Sequence, residues 1–254
     1  MKYLLYTLLG SLFILGCKSN EPTLIFSEEF DGEELNSAIW NFELGDGCPN
    51  LCGWGNNEPQ IYTKDNHELK DGFLKIEAKN VNGTYTSTRI TTKDKFEFQY
   101  GRIEARIKLP TGTGVWPAFW LLGSNIDEVG WPRCGEIDIM EYVGKEPGQV
   151  FNSLHTQSSH GNTVNTKKTA TADIEEGFHI YTANWTNDEI EFLVDGESLY
   201  TYHPKTKNED NWPFDQPFYM LLNLAIGGNF GGPEIDNSIF PQEYLVDYVR
   251  VYKN

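Results

Sequence analysis

Three carboxylates, Glu136, Asp138 and Glu141, lie in the run Gly135-Glu136-Ile137-Asp138-Ile139-Met140-Glu141. The interleaved Ile137, Ile139 and Met140 read as a buried strand rather than a solvated one. A carboxylate taken out of water without a partner is strongly disfavoured or shifts its pKa. Three of them on one buried strand point to work on protons and on a developing positive charge.

Side-chain parity refines this reading. In a regular strand Glu136 and Asp138 share one face and Glu141 takes the other. A β-bulge at Ile139-Met140 returns Glu141 to the face of Glu136, and bulges are enriched beside active sites. Two carboxyls then flank a cleft with a third between them. For a glycosidase this is the retaining arrangement, in which nucleophile and acid/base stand roughly 5–5.5 Å apart. Glu136 is then the nucleophile and Glu141 the general acid/base. Asp138 hydrogen-bonds the nucleophile and helps hold the two working pKa values apart.

The elements that must position these groups are strands. Short alternating or β-branched runs separated by turn residues fill the chain, and no helical period is sustained. The runs include Phe96–Lys108, Ala118–Leu122, Glu136–Tyr142, Val150–His155 and Phe218–Ala225, and Asp195-Gly196 marks a hairpin. The pattern predicts an all-β sandwich. A chain of 254 residues with 39% hydrophobic content can build one large core, and no linker or repeat divides it, so residues 23–254 are expected to form one domain.

Residues 1–16, with Lys2 followed by an apolar run from Leu4 to Leu15, read as a secretory signal too short for a firm membrane span. The segment Ile14-Leu15-Gly16-Cys17 resembles a bacterial lipoprotein box. Residues 17–22 would then be a lipidated Cys17 and a short tether, the protein's contact with a membrane in the cell envelope. The net charge of −17 and pI near 4.6 argue against nucleic acid and other polyanions as partners. A neutral glucan suits such a surface better than a sulfated galactan. Of the remaining cysteines, Cys48 can pair with Cys52, or Cys52 with Cys134 if their loop folds over the cleft.

The string around Glu136, with Trp131-Pro132 before it and Tyr142-Val143-Gly144 after it, resembles the bulged catalytic signature of glycoside hydrolase family 16. Further strings resemble its laminarinase branch, the endo-β-1,3-glucanases: Gly53-Trp54-Gly55-Asn56-Asn57-Glu58, Gly114-Val115-Trp116-Pro117-Ala118-Phe119-Trp120, Ser153-Leu154-His155-Thr156, Asn223-Leu224-Ala225-Ile226-Gly227-Gly228 and the terminal Val246-Asp247-Tyr248-Val249-Arg250-Val251-Tyr252. They run in family order from about residue 25 to the C-terminus. The resemblance implies a jelly roll of two curved antiparallel sheets with a concave substrate cleft, hydrolysis of laminarin-like β-1,3-glucan or, alternatively, mixed β-1,3/1,4-glucan, and a monomer. A non-catalytic glucan-binding protein is a further alternative, though all three carboxylates are present.

Among seven tryptophans, Trp116 and Trp131 are expected to be sugar platforms at the cleft, with Trp54 a further candidate, and Trp40, Trp120 and Trp185 to be core. The resemblance further implies substrate contacts from Asn57, Arg89, His155 and Gln242; His160, in a Ser/Gly/Asn loop, is expected at the rim. It implies no cofactor for catalysis, but one structural Ca²⁺ on the convex face held by Glu29, the Gly72 carbonyl and Asp247.

Overall fold

The computed structural model describes residues 22–253, so the segment 1–16 expected to be a secretory signal, and Cys17, lie outside the described residues. Alternating burial makes most strands. Phe73–Val81, for example, buries Leu74, Ile76 and Ala78 and turns Lys75 and Glu77 to the other side.

The strands form two sheets. In the outer sheet the hydrogen-bonded order is Glu197–Tyr202, Ile190–Val194, His179–Trp185, Gly101–Lys108, Gln242–Lys253, Phe73–Val81, Thr84–Ser87 and Ile61–Tyr62, with Thr23–Glu28 added on Gln242–Lys253 and His67–Lys70 on Phe73–Val81. The inner sheet runs Lys167–Ala170, Gln149–His155, Glu136–Glu141, Val115–Gly123, Phe218–Ile226, Arg89–Thr91 and Asn41–Phe42, with Glu97–Phe98 joining Phe218–Ile226. Among the described residues the ladders are antiparallel except that between Ile61–Tyr62 and Thr84–Ser87. The architecture is the two-sheet sandwich that the sequence pattern predicts, in the jelly-roll form that the resemblance implies.

The core lies between the sheets. Phe119, Leu121, Ile137, Leu154 and Leu222 of the inner sheet meet Ile103, Ile107, Tyr244, Val249 and Val251 of the outer one. Each such side chain contributes about 1.5–3 kcal/mol on burial, so a one-residue slip that exposed a strand's set would be heavily penalised. Core burial therefore dictates which residues face the cleft.

Two sequence expectations are sharpened. The predicted strand Phe96–Lys108 is two strands, because the chain passes from the inner to the outer sheet at Tyr100, which has φ 59°. Gly101 follows with φ 126°, and a Cβ there would lie 2.2 Å from the Tyr252 carbonyl oxygen, so only glycine fits the crossing. Asp195-Gly196 does close a two-residue hairpin, with Val194 opposite Glu197 and both turn residues at positive φ.

Candidate active site

The strand Glu136–Glu141 carries the expected bulge. Against Gln149–His155, Asp138 pairs with Ser153 and Glu141 with Phe151, so three steps along one strand match two along the other. Against Val115–Gly123, Met140 pairs with Phe119 and Asp138 with Trp120, which leaves Ile139 as the extra residue. Ile139 and Met140 are both buried in the core. Glu136, Asp138 and Glu141 accordingly share the cleft face.

Cross-strand pairing lays that face out in rungs. One rung reads Arg89, Asn223, Ala118, Glu141 and Phe151; the next Thr91, Leu221, Trp120, Asp138 and Ser153; the third Tyr219, Leu122, Glu136 and His155. One polar atom from each of Glu136, Asp138 and His155 lies within 4.8 Å of the others. His155 Nε2 is 3.1 Å from Asp138 Oδ2 and 3.6 Å from Glu136 Oε1.

The three carboxyls differ in what they receive. Glu136 accepts the Trp131 indole N–H at 2.8 Å, and Asp138 lies close beside it. Burial raises the pKa of Glu136 and the Glu141 charge adds to this, while the His155 charge and the Trp131 donor oppose the rise. Asp138 is lifted to about 7, chiefly by burial and then by the charge of Glu136. Glu141 is lifted to about 8, again by burial first and then by Asp138, against the pull of His155, Trp116 and Ser153. Trp116 donates to it at 3.0 Å and Ser153 at 3.5 Å. Burial opposes the imidazolium of His155, but the charges of Glu136 and Asp138 outweigh it and raise that group to about 10. Burial thus lifts Glu141 toward its protonated form, while the anion of Glu136 is met by the Trp131 N–H and the nearby His155 ring.

Away from the carboxylates, the Arg89 guanidinium lies between two indoles, 4.5 Å from the Trp54 ring and 5.0 Å from the Trp120 ring, and bonds Glu43. Behind it runs a buried relay. Trp120 donates to Asn223 at 2.8 Å, Asn223 to the Tyr62 hydroxyl at 3.2 Å, and Tyr62 to Glu58 at 3.2 Å, where Gln60 also donates at 2.6 Å. Burial raises the pKa of Glu58, opposed by these donors and by the Arg89 charge. The disulfide joins Cys48 to Cys52 in the loop that carries Trp54, and Cys134 is free and buried.

Several placements correct the sequence reading. Trp116 is buried, packed edge-to-face on Phe230, so it serves as a donor to Glu141 rather than as an open platform. Trp120, expected in the core, is half-buried on the cleft face, because the parity set by core residues Phe119 and Leu121 turns it outward. Trp131 is 45% exposed, with His160 edge-on to its ring, and is the open aromatic surface beside Glu136. Gln242 starts an outer-sheet strand; its amide accepts from the Thr111 N–H and donates to the Ile239 carbonyl, so it braces a loop instead of reaching the cleft floor. Asn57 is exposed in its turn, at φ 54°, and donates to Asn229 at 2.8 Å, tying the Trp54 loop to the loop of Phe230.

The residues expected to hold Ca²⁺ do not form an oxygen cage. Glu29 receives two hydrogen bonds from Arg250, at 2.8 and 2.7 Å, and Asp247 is paired with Arg106. A cation there would have to displace two guanidinium groups. Gly72 sits at φ 78° beside Asp31.

Asn223, Trp120, Ser153 and Glu58 are the site residues that sequence reasoning missed. Asn223 carried a signal: it is the lone polar residue in the apolar strand Phe218–Ile226.

Comparison with known proteins places the same residues in a family context. The family described as glycosyl hydrolases family 16 matches residues 55–248. The crystal structure of laminarinase from Flavobacterium sp. UMI-01 is 62% identical with a TM-score of 0.90, covering 91% of this chain and 100% of that one. A beta-glucanase from Rhodothermus marinus is 37% identical over 273 residues, spanning 99% of this chain and 93% of the relative. Glucan endo-1,3-beta-glucosidase A1 from Niallia circulans is 40% identical over 91% of this chain, which spans only 38% of that longer protein.

Proposed function

Because the chain belongs to glycosyl hydrolase family 16, we infer that it is an endo-acting, retaining glucanase that cleaves β-1,3-linked glucan of the laminarin type. The observation that carries the reading is the bulge, which brings Glu141 to the face of Glu136 in an environment that keeps it protonated.

In the first step the Glu136 carboxylate attacks the anomeric carbon. The glycosidic C–O bond breaks, and the leaving oxygen takes the Glu141 proton. The Trp131 N–H holds Glu136 by a hydrogen bond and His155 Nε2 lies 3.6 Å from its other oxygen, so the carboxylate is oriented before the substrate arrives. In the second step Glu141, now a carboxylate, removes a proton from water as that water displaces Glu136 from the sugar, and both groups return to their starting states. No cofactor takes part. The exposed Trp131 face and the Arg89–Trp54–Trp120 wall are the surfaces offered to sugar rings, whose flat C–H faces stack on indoles.

The Rhodothermus relative is named only as a beta-glucanase, so mixed-linkage glucan belongs in the test. Laminarin, lichenan, agarose and carrageenan digested in parallel should give short oligosaccharides from laminarin first. Release from agarose or carrageenan but not from laminarin would overturn the substrate assignment, and binding without any release would leave a glucan-binding protein.

The proposal for the cell is an exported monomer anchored by lipid on Cys17, resting on the sequence Ile14-Leu15-Gly16-Cys17. Cys17→Ser should move the enzyme from the membrane to the soluble fraction. Unchanged fractionation in a lipoprotein-processing host would count against the anchor.

A further inference from the structure

We propose that Asn152 is a positioning residue for the reaction: its side-chain amide clamps the bulge that delivers Glu141 to the cleft. The proposal rests on the reading of Glu141 as acid/base.

Asn152 stands where a polar side chain is out of place. On Gln149–His155, the residues Phe151, Ser153 and His155 are opposite Glu141, Asp138 and Glu136 and face the cleft, so Val150, Asn152 and Leu154 face the core. Val150 and Leu154 belong to the main apolar core, and Asn152 between them is 1% exposed. A leucine, with the same branching and the same number of side-chain heavy atoms, would offer this position no polar atoms to bury.

The ladder explains the asparagine. Ser153 is opposite Asp138 and Phe151 is opposite Glu141, which leaves Asn152 as the single residue facing the two bulge residues Ile139 and Met140. A bulge interrupts the ladder and leaves backbone groups without their strand partner, and a buried carbonyl in that position needs a donor from elsewhere. Asn152 Nδ2 supplies it, donating to the Ile139 carbonyl oxygen at 2.7 Å. The other end of the amide, Oδ1, is buried and meets no donor among the described residues. The side chain is therefore no member of a general polar network. Its one hydrogen bond goes to the residue that makes the strand irregular.

The consequence reaches the chemistry through parity. Glu141 is held to the Trp116 N–H and near Glu136 only because one extra residue is accommodated before it. Without a partner for Ile139, the strand gains by sliding toward regular pairing, which drives Glu141 toward the core face. Asn152 touches neither substrate nor the reacting atoms. It acts by fixing where the Glu141 carboxyl stands.

Leaving-group dependence separates this role from plain structural support. A dinitrophenyl glycoside of laminaribiose departs without a proton, whereas a glucan needs Glu141 to supply one. In Asn152→Leu, laminarin hydrolysis per active site should fall at least about tenfold, while the dinitrophenolate burst stays within about threefold of wild type. Burst amplitude counts competent sites, so misfolded molecules do not enter the rates. Asn152→Ser, smaller and more easily folded, should show the same split if the leucine variant yields no folded protein. Equal losses on both substrates, or no loss on laminarin, would overturn the proposal. Glu141→Ala serves as the reference. If it lacks the split, the acid/base reading fails; if it shows the split and the Asn152 variants do not, only the clamp fails.

Discussion

The indole N–H of Trp116 donates to Oε1 of Glu141 at 3.0 Å, and the indole is 9% exposed, locked between Phe230 and the inner sheet. A buried donor of this kind stabilises the carboxylate and draws the pKa of Glu141 down against burial, which lifts it to about 8. Trp116→Phe keeps the packing and removes the donor, so the Glu141 pKa should rise further. Since the first step needs Glu141 protonated, the basic limb of kcat/KM should move to higher pH, by up to about one unit for a hydrogen bond worth ~1.4 kcal/mol. A pH–rate profile reads this directly, and a limb that stays put or moves down would contradict the assignment.

His155 gives a stability prediction with a defined sign. Its folded pKa is raised from 6.5 to about 10 by the facing carboxylates of Glu136 and Asp138. A group whose folded pKa lies above its unfolded value contributes stability that is complete below the unfolded pKa and lost as pH rises through the folded one. The melting temperature of the wild type should therefore decline between pH 6.5 and about 10, and His155→Gln should flatten that decline. Parallel curves for the two proteins would show that the imidazolium is not held in the folded state.

Arg89 is charged and planar between two indoles. Arg89→Lys keeps the charge but loses the plane, and with it the stacking that fixes Trp54 and Trp120 as a wall. Two cation–π contacts worth ~1.4 kcal/mol together correspond to about a tenfold rise in KM for laminarin. The value of kcat should change little, because Glu136 and Glu141 stand on other strands. A loss confined to kcat would place Arg89 in the chemistry instead.

Much of the site was legible because parity is a strict rule. Glu136 and Glu141 are an odd number of residues apart, so the bulge at Ile139-Met140 could be demanded before it was seen. Aromatic roles were less legible. Trp116 and Trp120 lie on the same strand and the same face, yet one is buried under Phe230 and the other flanks Arg89, and the difference is set by loops far away in sequence. Gln242 and the Glu29–Asp247 pair were hard to read for a related reason. Their partners Thr111, Ile239, Arg250 and Arg106 claim side chains that look free when read along the chain. Asn152 could have been noticed as a polar residue at a core position, but its partner is a backbone carbonyl, which leaves no trace in residue type.

The central claim is that Glu136 forms a covalent glycosyl-enzyme while Glu141 handles the proton. Its most direct test is to trap the intermediate with an activated laminaribiosyl fluoride carrying fluorine beside the anomeric carbon, then to map the modified peptide by mass spectrometry. Fluorine there slows both steps by destabilising the oxocarbenium-like transition state, and a good leaving group lets the first step proceed. The predicted result is one sugar per active site, attached at Glu136 within the peptide that spans Glu136–Glu141. A label on Glu141 or on Asp138, or an enzyme that hydrolyses laminarin yet never forms an adduct and releases the inverted anomer, would contradict the account.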